Sequence, residues 1–416
     1  MINFDRFQLD NGLRVIVHKD RSTPLAAMNI LYDVGSRDED AEMTGLAHLF
    51  EHLMYGGTLN IPEYDLPLQL AGGENNAFTN SDITNYYLTV PAENIETGFW
   101  LESDRMAELD FSEKNLNIQK SVVTEEFNQR YMNQPYGDAM LLLRPLAYNV
   151  HPYRWSAIGR EISHVKNASL QCIRDFFYSH YAPNNAIISF AGNIANERIR
   201  DLCEKWFGPV PKRNIRQREL PSEPSQIFAR KLEVSRQVPA DALYKAWHIC
   251  SRQSGDFYVM DLLTDILAGG ESGILQTRLV RDKNIFSEIN AFLTSDIDPG
   301  LMILTGKPMA GIKIEDAENA VNEIIDEIQN RLPDESEMQK VKNRFESSTV
   351  LMNTGVLHKA MNLGYFELLG DPSVINREVD IYCATTDKMV MNVAAKYLVP
   401  ENCSTLYYLS SKNKQE

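Results

Sequence analysis

The chain has 416 residues, of which 44% are hydrophobic and 24% are charged, and its formal net charge is −16. This length favours two or more domains, and the composition is typical of globular proteins rather than of disordered or membrane-spanning chains. The acidic balance disfavours binding to nucleic acid and to anionic membranes, so neither is expected as a partner.

Cysteine usage and hydropathy bear on the cellular compartment. The chain has no Cys-x-x-Cys pair, and its cysteines form an odd, widely spaced set: Cys172, Cys203, Cys250, Cys383 and Cys403. This pattern disfavours both a disulfide framework and a cysteine metal site. No apolar run is long enough for a membrane span, and residues 1–10 lack the apolar core of a signal peptide. We therefore expect a cytoplasmic protein in a reducing setting.

Strand patterns occupy the N-terminal region. Residues 7–9 and 13–17 flank a turn at residues 10–12, which predicts a β-hairpin, and residues 26–34 predict the next strand. The period then changes, because apolar residues recur at helical spacing: Leu46, Leu49, Phe50 and Leu53. Thr44 is the expected N-cap of this helix, and Gly56-Gly57 is its expected end.

Strands and helices continue to alternate along the rest of the chain. The patterns predict a strand at 82–90, a helix at 111–131, a strand at 186–191 and a helix over 317–328. A proline-rich, charged segment at 208–225 is typical of a linker, and a similarity between residues 181–185 and 397–402 favours a duplication. We therefore predict an N-terminal half at 1–215, a linker at 216–227 and a related C-terminal half at 228–416.

The predicted helix that begins near residue 46 has a polar face. His48, Glu51 and His52 lie on it, opposite the apolar residues. Histidines at i and i+4 can both bind one zinc ion, and the order His-x-x-Glu-His is a zinc-peptidase signature. Glu51 can act as general base, taking a proton from metal-activated water and passing it to the leaving amine. The alternative interpretation is a surface salt-bridge cluster on an amphipathic helix.

A third metal ligand must come from elsewhere, and the helix at 111–131 offers two acids. On a helical wheel Glu126 lies between Val122 and Val123, inside the apolar arc, whereas Glu125 lies at its edge. Because a carboxylate that points into a core is costly unless it is paired or metal-bound, Glu126 is the better candidate. Gln119, two turns earlier on the same stripe, is expected to support the site from outside the ligand set.

These motifs together resemble the pitrilysin-type (inverzincin) zinc peptidases, and in particular their processing-peptidase-like single-pair members. Shorter stretches at 11–15, 72–79, 84–87, 151–153 and 181–185 add to the resemblance. It implies an α+β fold of the LuxS/processing-peptidase-like type, with two duplicated α/β halves that each contain a mostly antiparallel sheet flanked by helices. It also implies one zinc ion per chain and a peptide or unfolded polypeptide substrate. The strand with Asn76 and Ala77 would bind the substrate backbone by β-augmentation.

Two positions depart from the family pattern. Gln119 stands where relatives often carry a glutamate. In the second half, Arg281 matches an arginine that contacts substrate in relatives, but Glu288 stands where the accompanying tyrosine is expected. The resemblance implies a homodimer or a heterodimer with a sister subunit. Three functions stay open: a zinc metalloendopeptidase, a zinc-bearing subunit active only with a sister subunit, and a non-catalytic scaffold subunit.

Overall fold

A computed structural model describes residues 1–411, which form two compact units, each assembled from three separate stretches of chain. Unit 1 contains Met1–Asn128, Trp155–Leu220 and Thr349–Arg377. Unit 2 contains Gln129–Arg154, Pro221–Ser348 and the chain from Glu378 onward. None of the helices in residues 1–411 combines the length and the apolar character that a membrane crossing requires.

Unit 1 is built on a six-stranded sheet with the order β1-β2-β6-β3-β5-β4. Its strands are β1 (Asp5–Gln8), β2 (Arg14–Lys19), β3 (Leu25–Tyr32), β4 (Glu74–Thr79), β5 (Thr84–Pro91) and β6 (Ala186–Gly192). All seven residues of β6 are buried, because this strand lies in the middle of the sheet. The pair β2–β6 is parallel and the other neighbours are antiparallel.

The helices of unit 1 lie on both faces of this sheet. They are α1 (Leu46–Leu53), α2 (Asp65–Leu70), α3 (Ile95–Ala107), α4 (Glu113–Phe127), α6 (Ile162–Asn167), α7 (Leu170–His180), α8 (Asn196–Trp206) and α12 (Val356–Leu368). Helix α12 comes from the second half of the chain, yet it packs across β2, β3, β5 and β6. Leu363 and Phe366 of α12 form a core cluster with Ile16 of β2.

Unit 2 repeats this plan with a five-stranded sheet of order β7-β11-β8-β10-β9. Its strands are β7 (Arg230–Arg236), β8 (Ala242–His248), β9 (Phe286–Leu293), β10 (Leu301–Pro308) and β11 (Cys403–Ser410). Again one pair, β7–β11, is parallel and the others are antiparallel. The predicted fold of two sheets flanked by helices is therefore confirmed, with the refinement that each sheet contains one parallel pair.

The helices of unit 2 also cover two sheet faces. They are α5 (Ala139–Ala147), α9 (Gly255–Ala268), α10 (Ile314–Asn330), most of α11 (Glu335–Met352), α13 (Glu378–Ala384) and α14 (Asp387–Tyr397). Helix α5 belongs to the first half of the chain, but it packs against β7, β8 and β11. The apolar stripe predicted at 317–328 is buried along α10. Residues 211–227, which include the predicted linker at 216–227, carry no regular secondary structure.

The compact units therefore differ from two continuous halves of chain. Each half contributes one helix, α5 or α12, to the unit formed mainly by the other half. The change from unit 1 to unit 2 at Leu220/Pro221 lies in the predicted linker. The division at 1–215 and 228–416 remains a prediction about duplicated halves, whereas the units describe which segments pack together.

Candidate metal centre

Helix α1 has one face fixed in the core of unit 1. Its buried residues are Leu46, Ala47, Leu49, Phe50 and Leu53. The Phe50 ring stacks on Phe176 and on Tyr181, with ring centroids 5.1 Å apart in both cases. Aromatic stacking of this kind adds to the free energy of area burial, so the helix is held firmly along its apolar side. Its other side carries His48, Glu51 and His52, each half-buried.

The start of α1 differs from the prediction. Its N-cap is Gly45 at φ 89°, a left-handed conformation that suits glycine, and the cap position offers no side chain. The expected cap by Thr44 is wrong, because the Thr44 hydroxyl accepts from the Arg160 N–H at 2.8 Å and contacts His164 Nδ1 at 2.9 Å. The carboxylate of Glu39 lies at the helix start instead and accepts two backbone N–H bonds.

Glu126 reaches the two histidines from α4. This helix is capped by Ser112, whose hydroxyl accepts from Asn115 N, and Val123 fixes its inner face in the core. Glu126 Oε2 lies 3.6 Å from His48 Nε2 and 3.3 Å from His52 Nε2. The imidazole centroids are 4.9 Å apart. The three side chains expected to bind metal therefore converge, although their binding role remains a prediction.

The donor set fits a zinc ion. One donor atom from each of His48, His52 and Glu126 lies within 4.8 Å of the other two, and this is the one such group of acids, histidines or cysteines found among residues 1–411. Donors around a tetrahedral zinc at about 2.0–2.1 Å are separated by roughly 3.3 Å, close to the histidine–carboxylate distances here. Two imidazoles and one carboxylate are also a common ligand set of catalytic zinc sites, in which a fourth position stays open.

Two further residues predicted to serve the site, Glu51 and Gln119, lie on helices α1 and α4. Glu51 lies on α1 close to a group of buried tyrosines: burial raises the pKa of Tyr86 well above its usual value, and the negative charge of Glu51 adds to that shift. Gln119 is half-buried on α4, two turns before Glu126. Its role in supporting the site stays a prediction.

Asn76 and Ala77 lie on β4, the edge strand of the sheet in unit 1, against which α1 also packs. Strand β4 pairs with β5 on one side only. The Ala77 N–H donates to Asn76 Oδ1 at 2.8 Å, which indicates that this amide points to the open edge of the sheet. An exposed edge of this kind is the structural requirement for β-augmentation.

Arg281 and Glu288 belong to unit 2. Arg281 lies in a π-helical segment, Gln276–Asp282, where its guanidinium pairs with Glu271. Glu288 lies on β9 and pairs with Lys307 at 2.8 Å. Each therefore has a local partner within its own unit, and the predicted contact of Arg281 with substrate stays a prediction.

Unit 2 contains counterparts of helix α1 and of edge strand β4 that the sequence analysis missed. The stretch DLLTDILAGG (261–270) aligns without gaps with HLFEHLMYGG (48–57), so that Asp261, Thr264 and Asp265 stand where α1 has His48, Glu51 and His52. Likewise EINAFLTSD (288–296) matches ENNAFTNSD (74–82). Helix α9 packs on edge strand β9 as α1 packs on β4. The signal was present in the sequence, but it is visible only when the two halves are compared.

Two family models match the chain. The model described as "Insulinase (Peptidase family M16)" matches residues 14–147, and the one described as "Peptidase M16 inactive domain" matches residues 167–345. The chain belongs to peptidase family M16. The first match contains the two convergent histidines and Glu126. The second contains helix α9, in which Asp261 and Asp265 stand at the positions of the two histidines.

Individual M16 proteins resemble the chain over most of its length. The "Zinc protease PqqE" of Helicobacter pylori is 28% identical over 344 residues, which is 80% of this chain and 76% of that protein. The "Uncharacterized zinc protease YmxG" of Bacillus subtilis is 25% identical over 88% of both chains. The crystal structure of a protease from Helicobacter pylori has the same fold, with a TM-score of 0.93, 24% identity and coverage of 98% of this chain and all of that one. The resemblance expected from the motifs is thus confirmed, and the family is one of zinc metallopeptidases.

Proposed function

We propose that the chain is a zinc-dependent metalloendopeptidase that hydrolyses peptide bonds in unfolded peptides. The observation that carries the proposal is the convergence of His48 Nε2, His52 Nε2 and Glu126 Oε2. Relatives that are named zinc proteases support the same reaction class. An acidic pair such as Asp261 and Asp265 in unit 2 would not offer this donor set, so the proposed chemistry is assigned to unit 1.

Each predicted site residue of unit 1 would have a specific role in the proposed reaction. His48, His52 and Glu126 would hold one zinc ion, which when bound acidifies water to a pKa of about 7 and polarises a carbonyl oxygen. A carboxylate oxygen of Glu51 would accept the proton released by the attacking water and then donate it to the nitrogen of the leaving amine. The open edge of β4, with the Ala77 N–H, would bind the substrate backbone as an added strand.

A second candidate shares this chemistry and differs in partner. Glu288 stands where peptidases of this type are expected to carry a substrate-contacting tyrosine, and its carboxylate is already paired with Lys307. A sister subunit that supplies the missing group would account for this departure. In that case the chain would be a zinc-bearing subunit that is active only in a hetero-oligomer.

Metal analysis combined with a peptide-library assay tests both candidates. The purified chain should contain one zinc ion and cleave unstructured peptides, lose cleavage with a chelator, and regain it when zinc is added back. Zinc without cleavage by the chain alone, together with cleavage after addition of a co-purifying sister chain, would favour the subunit. A chain that binds no zinc would refute both candidates and leave the scaffold function.

A further inference from the structure

The start of α1 has no capping side chain of its own, although the helix carries three of the four groups in the proposed site. The N-cap residue is Gly45, and His48 follows within the first turn of the helix. A helix start has backbone N–H groups without intrahelical partners, so the first turn frays unless another group accepts their hydrogen bonds. The orientation of His48 therefore depends on what binds these N–H groups.

A buried carboxylate does so. Glu39 is 6% exposed. Its Oε2 accepts from the Gly45 N–H at 2.9 Å and its Oε1 accepts from the Ala47 N–H at 2.8 Å. Both oxygens are thus used by the first turn of α1, and negative charge at this end is also favourable to the helix dipole.

We propose that Glu39 is a positioning residue that sets the start of α1 and thereby the approach of His48 to His52 and Glu126. The inference rests on the proposed zinc site. Its carboxylate bonds to the backbone N–H groups of Gly45 and Ala47, and Ala47 is the residue directly before His48.

The burial of Glu39 supports a specific role for it. Burial raises the pKa of its carboxyl, whereas the hydrogen bonds from the Ala47 and Gly45 N–H groups and from the Trp155 side chain oppose the rise because they favour the ionised form. Keeping this group in the core therefore costs free energy, since an apolar side chain of similar volume would have no such penalty. The two hydrogen bonds to α1 offset part of this free-energy cost.

The segment that carries Glu39 is itself fixed to the end of the edge strand. The N–H groups of Ser36 and Arg37 donate to the carbonyls of Asn80 and Ser81, at 3.1 and 2.9 Å. The Arg37 guanidinium, only 4% exposed, pairs with Asp82 at 2.7 Å. A side-chain carbon at Gly35 would come within 2.5 Å of the Ser81 backbone, so this approach requires glycine. The segment with Glu39 therefore links helix α1 to the turn that follows β4.

A second ion pair holds the segment from the other side. Asp38 pairs with Arg218 at 2.6 Å, and the Trp155 indole N–H donates to the Ser36 carbonyl at 2.8 Å. Arg37, Asp38 and Ser36 are thus all anchored, which leaves Glu39 as the side chain that transmits this anchoring to α1. Loss of its carboxylate should loosen the first turn and shift His48 relative to the other two ligands.

The test is a comparison of metal binding in matched variants. In Glu39→Gln the side chain keeps its volume, but its amide has one acceptor oxygen, so one of the two N–H groups loses its partner. Glu367→Gln is the control, because Glu367 is a buried carboxylate of unit 1 that pairs with Arg6 and lies on α12, away from α1. The measurements are the zinc dissociation constant by chelator competition, the absorption spectrum of the cobalt-substituted protein, and stability in urea.

We expect Glu39→Gln to weaken zinc binding by about 10-fold and to change the cobalt spectrum. This is the lower end of the effect that residues supporting the metal ligands have on metal affinity. Glu367→Gln should lower stability without either effect. An unchanged zinc constant and spectrum in Glu39→Gln would overturn the inference, whatever the change in stability. If that variant does not fold, Glu39→Asp, which is too short to reach both N–H groups, is judged by the same criterion. Failure of the unaltered chain to bind zinc would instead refute the proposed function.

Discussion

Helices α1 and α9 occupy the same place in two similar units but carry different chemistry. Both pack on an edge strand that has the sequence Asn-Ala-Phe, and in both strands the alanine N–H donates to the preceding asparagine Oδ1, at 2.8 Å in β4 and 2.9 Å in β9. On α1 the polar positions form the candidate metal centre. On α9, Asp265 pairs with Arg344 at 3.2 Å, and Asp261 accepts from the Tyr382 hydroxyl at 2.6 Å.

The difference shows that two units with similar helices and edge strands can present different polar side chains at matching positions. In unit 2 a guanidinium from α11 lies beside the acid, so the local charge is balanced by side chains. Burial raises the pKa of Asp265, and the charge of Arg344 works against that rise. The edge-strand sequence is present in both units, so it does not by itself distinguish the unit that contains the candidate metal centre. Matching positions in unit 2 therefore serve as controls for variants in unit 1.

The largest effect is expected at the third ligand. Glu126→Gln removes the anionic donor and should weaken zinc binding by more than about 100-fold, because changes outside the ligand set already cost 10–100-fold. Peptide cleavage should fall with the zinc content. Asp265→Asn, on the corresponding surface of α9, should leave both unchanged. Zinc content by elemental analysis after dialysis decides the matter, and equal loss in the two variants would contradict the assignment of the metal to unit 1.

The proposed general base should affect rate and not metal content. Glu51→Gln is expected to lower kcat by roughly 10²–10⁴-fold, which is the usual contribution of proton transfer by a positioned side chain. Zinc should be retained, since Glu51 is not a predicted ligand. Thr264 occupies the matching position on α9, and Thr264→Ala should keep full activity. A Glu51→Gln chain that cleaves peptides at the normal rate would rule out this role.

A smaller effect is expected at the edge strand. Proline at position 77 removes the N–H that faces the open edge, and an edge strand tolerates proline. Ala77→Pro should therefore lower kcat/KM for peptides by about 10-fold, the equivalent of one lost hydrogen bond, with zinc content unchanged. Ala291→Pro makes the same change in β9. If Ala291→Pro impairs cleavage as strongly, binding to β4 alone would no longer explain substrate recognition.

The smallest effect concerns stability at acid pH. Burial lowers the pKa of His180, at the end of α7, from 6.5 to about 4. Since the unfolded chain binds this proton more tightly, the free energy of unfolding should fall as pH decreases from 6.5 to 4, by up to about 3 kcal/mol. The matching residue before Tyr397 in unit 2 is Lys396, which is exposed. Urea unfolding of His180→Gln should show a weaker decline over this range, and an unchanged decline would exclude His180 as its cause.

The sequence predicted much of the fold and most of the candidate site, because both depend on local patterns. The period of Leu46, Leu49, Phe50 and Leu53 defined α1, and the arrangement of its polar face followed. Glu126 was preferred as a carboxylate inside an apolar arc. Glu126 does converge with the histidines. However, not every residue of the predicted apolar arc is buried in the core, since Val122 is 44% exposed.

Features that depend on distant residues were not predictable from one sequence. The Thr44 hydroxyl is taken by residues 160 and 164, so a local capping rule gave the wrong cap. Glu39 precedes α1 by several residues, and its role follows only from the path of the chain between them. The exchange of α5 and α12 between units likewise leaves no local pattern, because the sequence of a helix does not show which distant strands it packs against.

That exchange has a consequence for synthesis and folding. The sheet of unit 1 is covered on one face by α12, so Ile16 and its neighbours find their partners only after residue 366 has been made. During translation the first half would expose an apolar sheet face until α12 has been made, which favours late folding and a need for chaperones. For the same reason, a fragment that stops in the linker should expose an apolar sheet face and aggregate, whereas a full-length chain cleaved in the linker after folding should stay assembled.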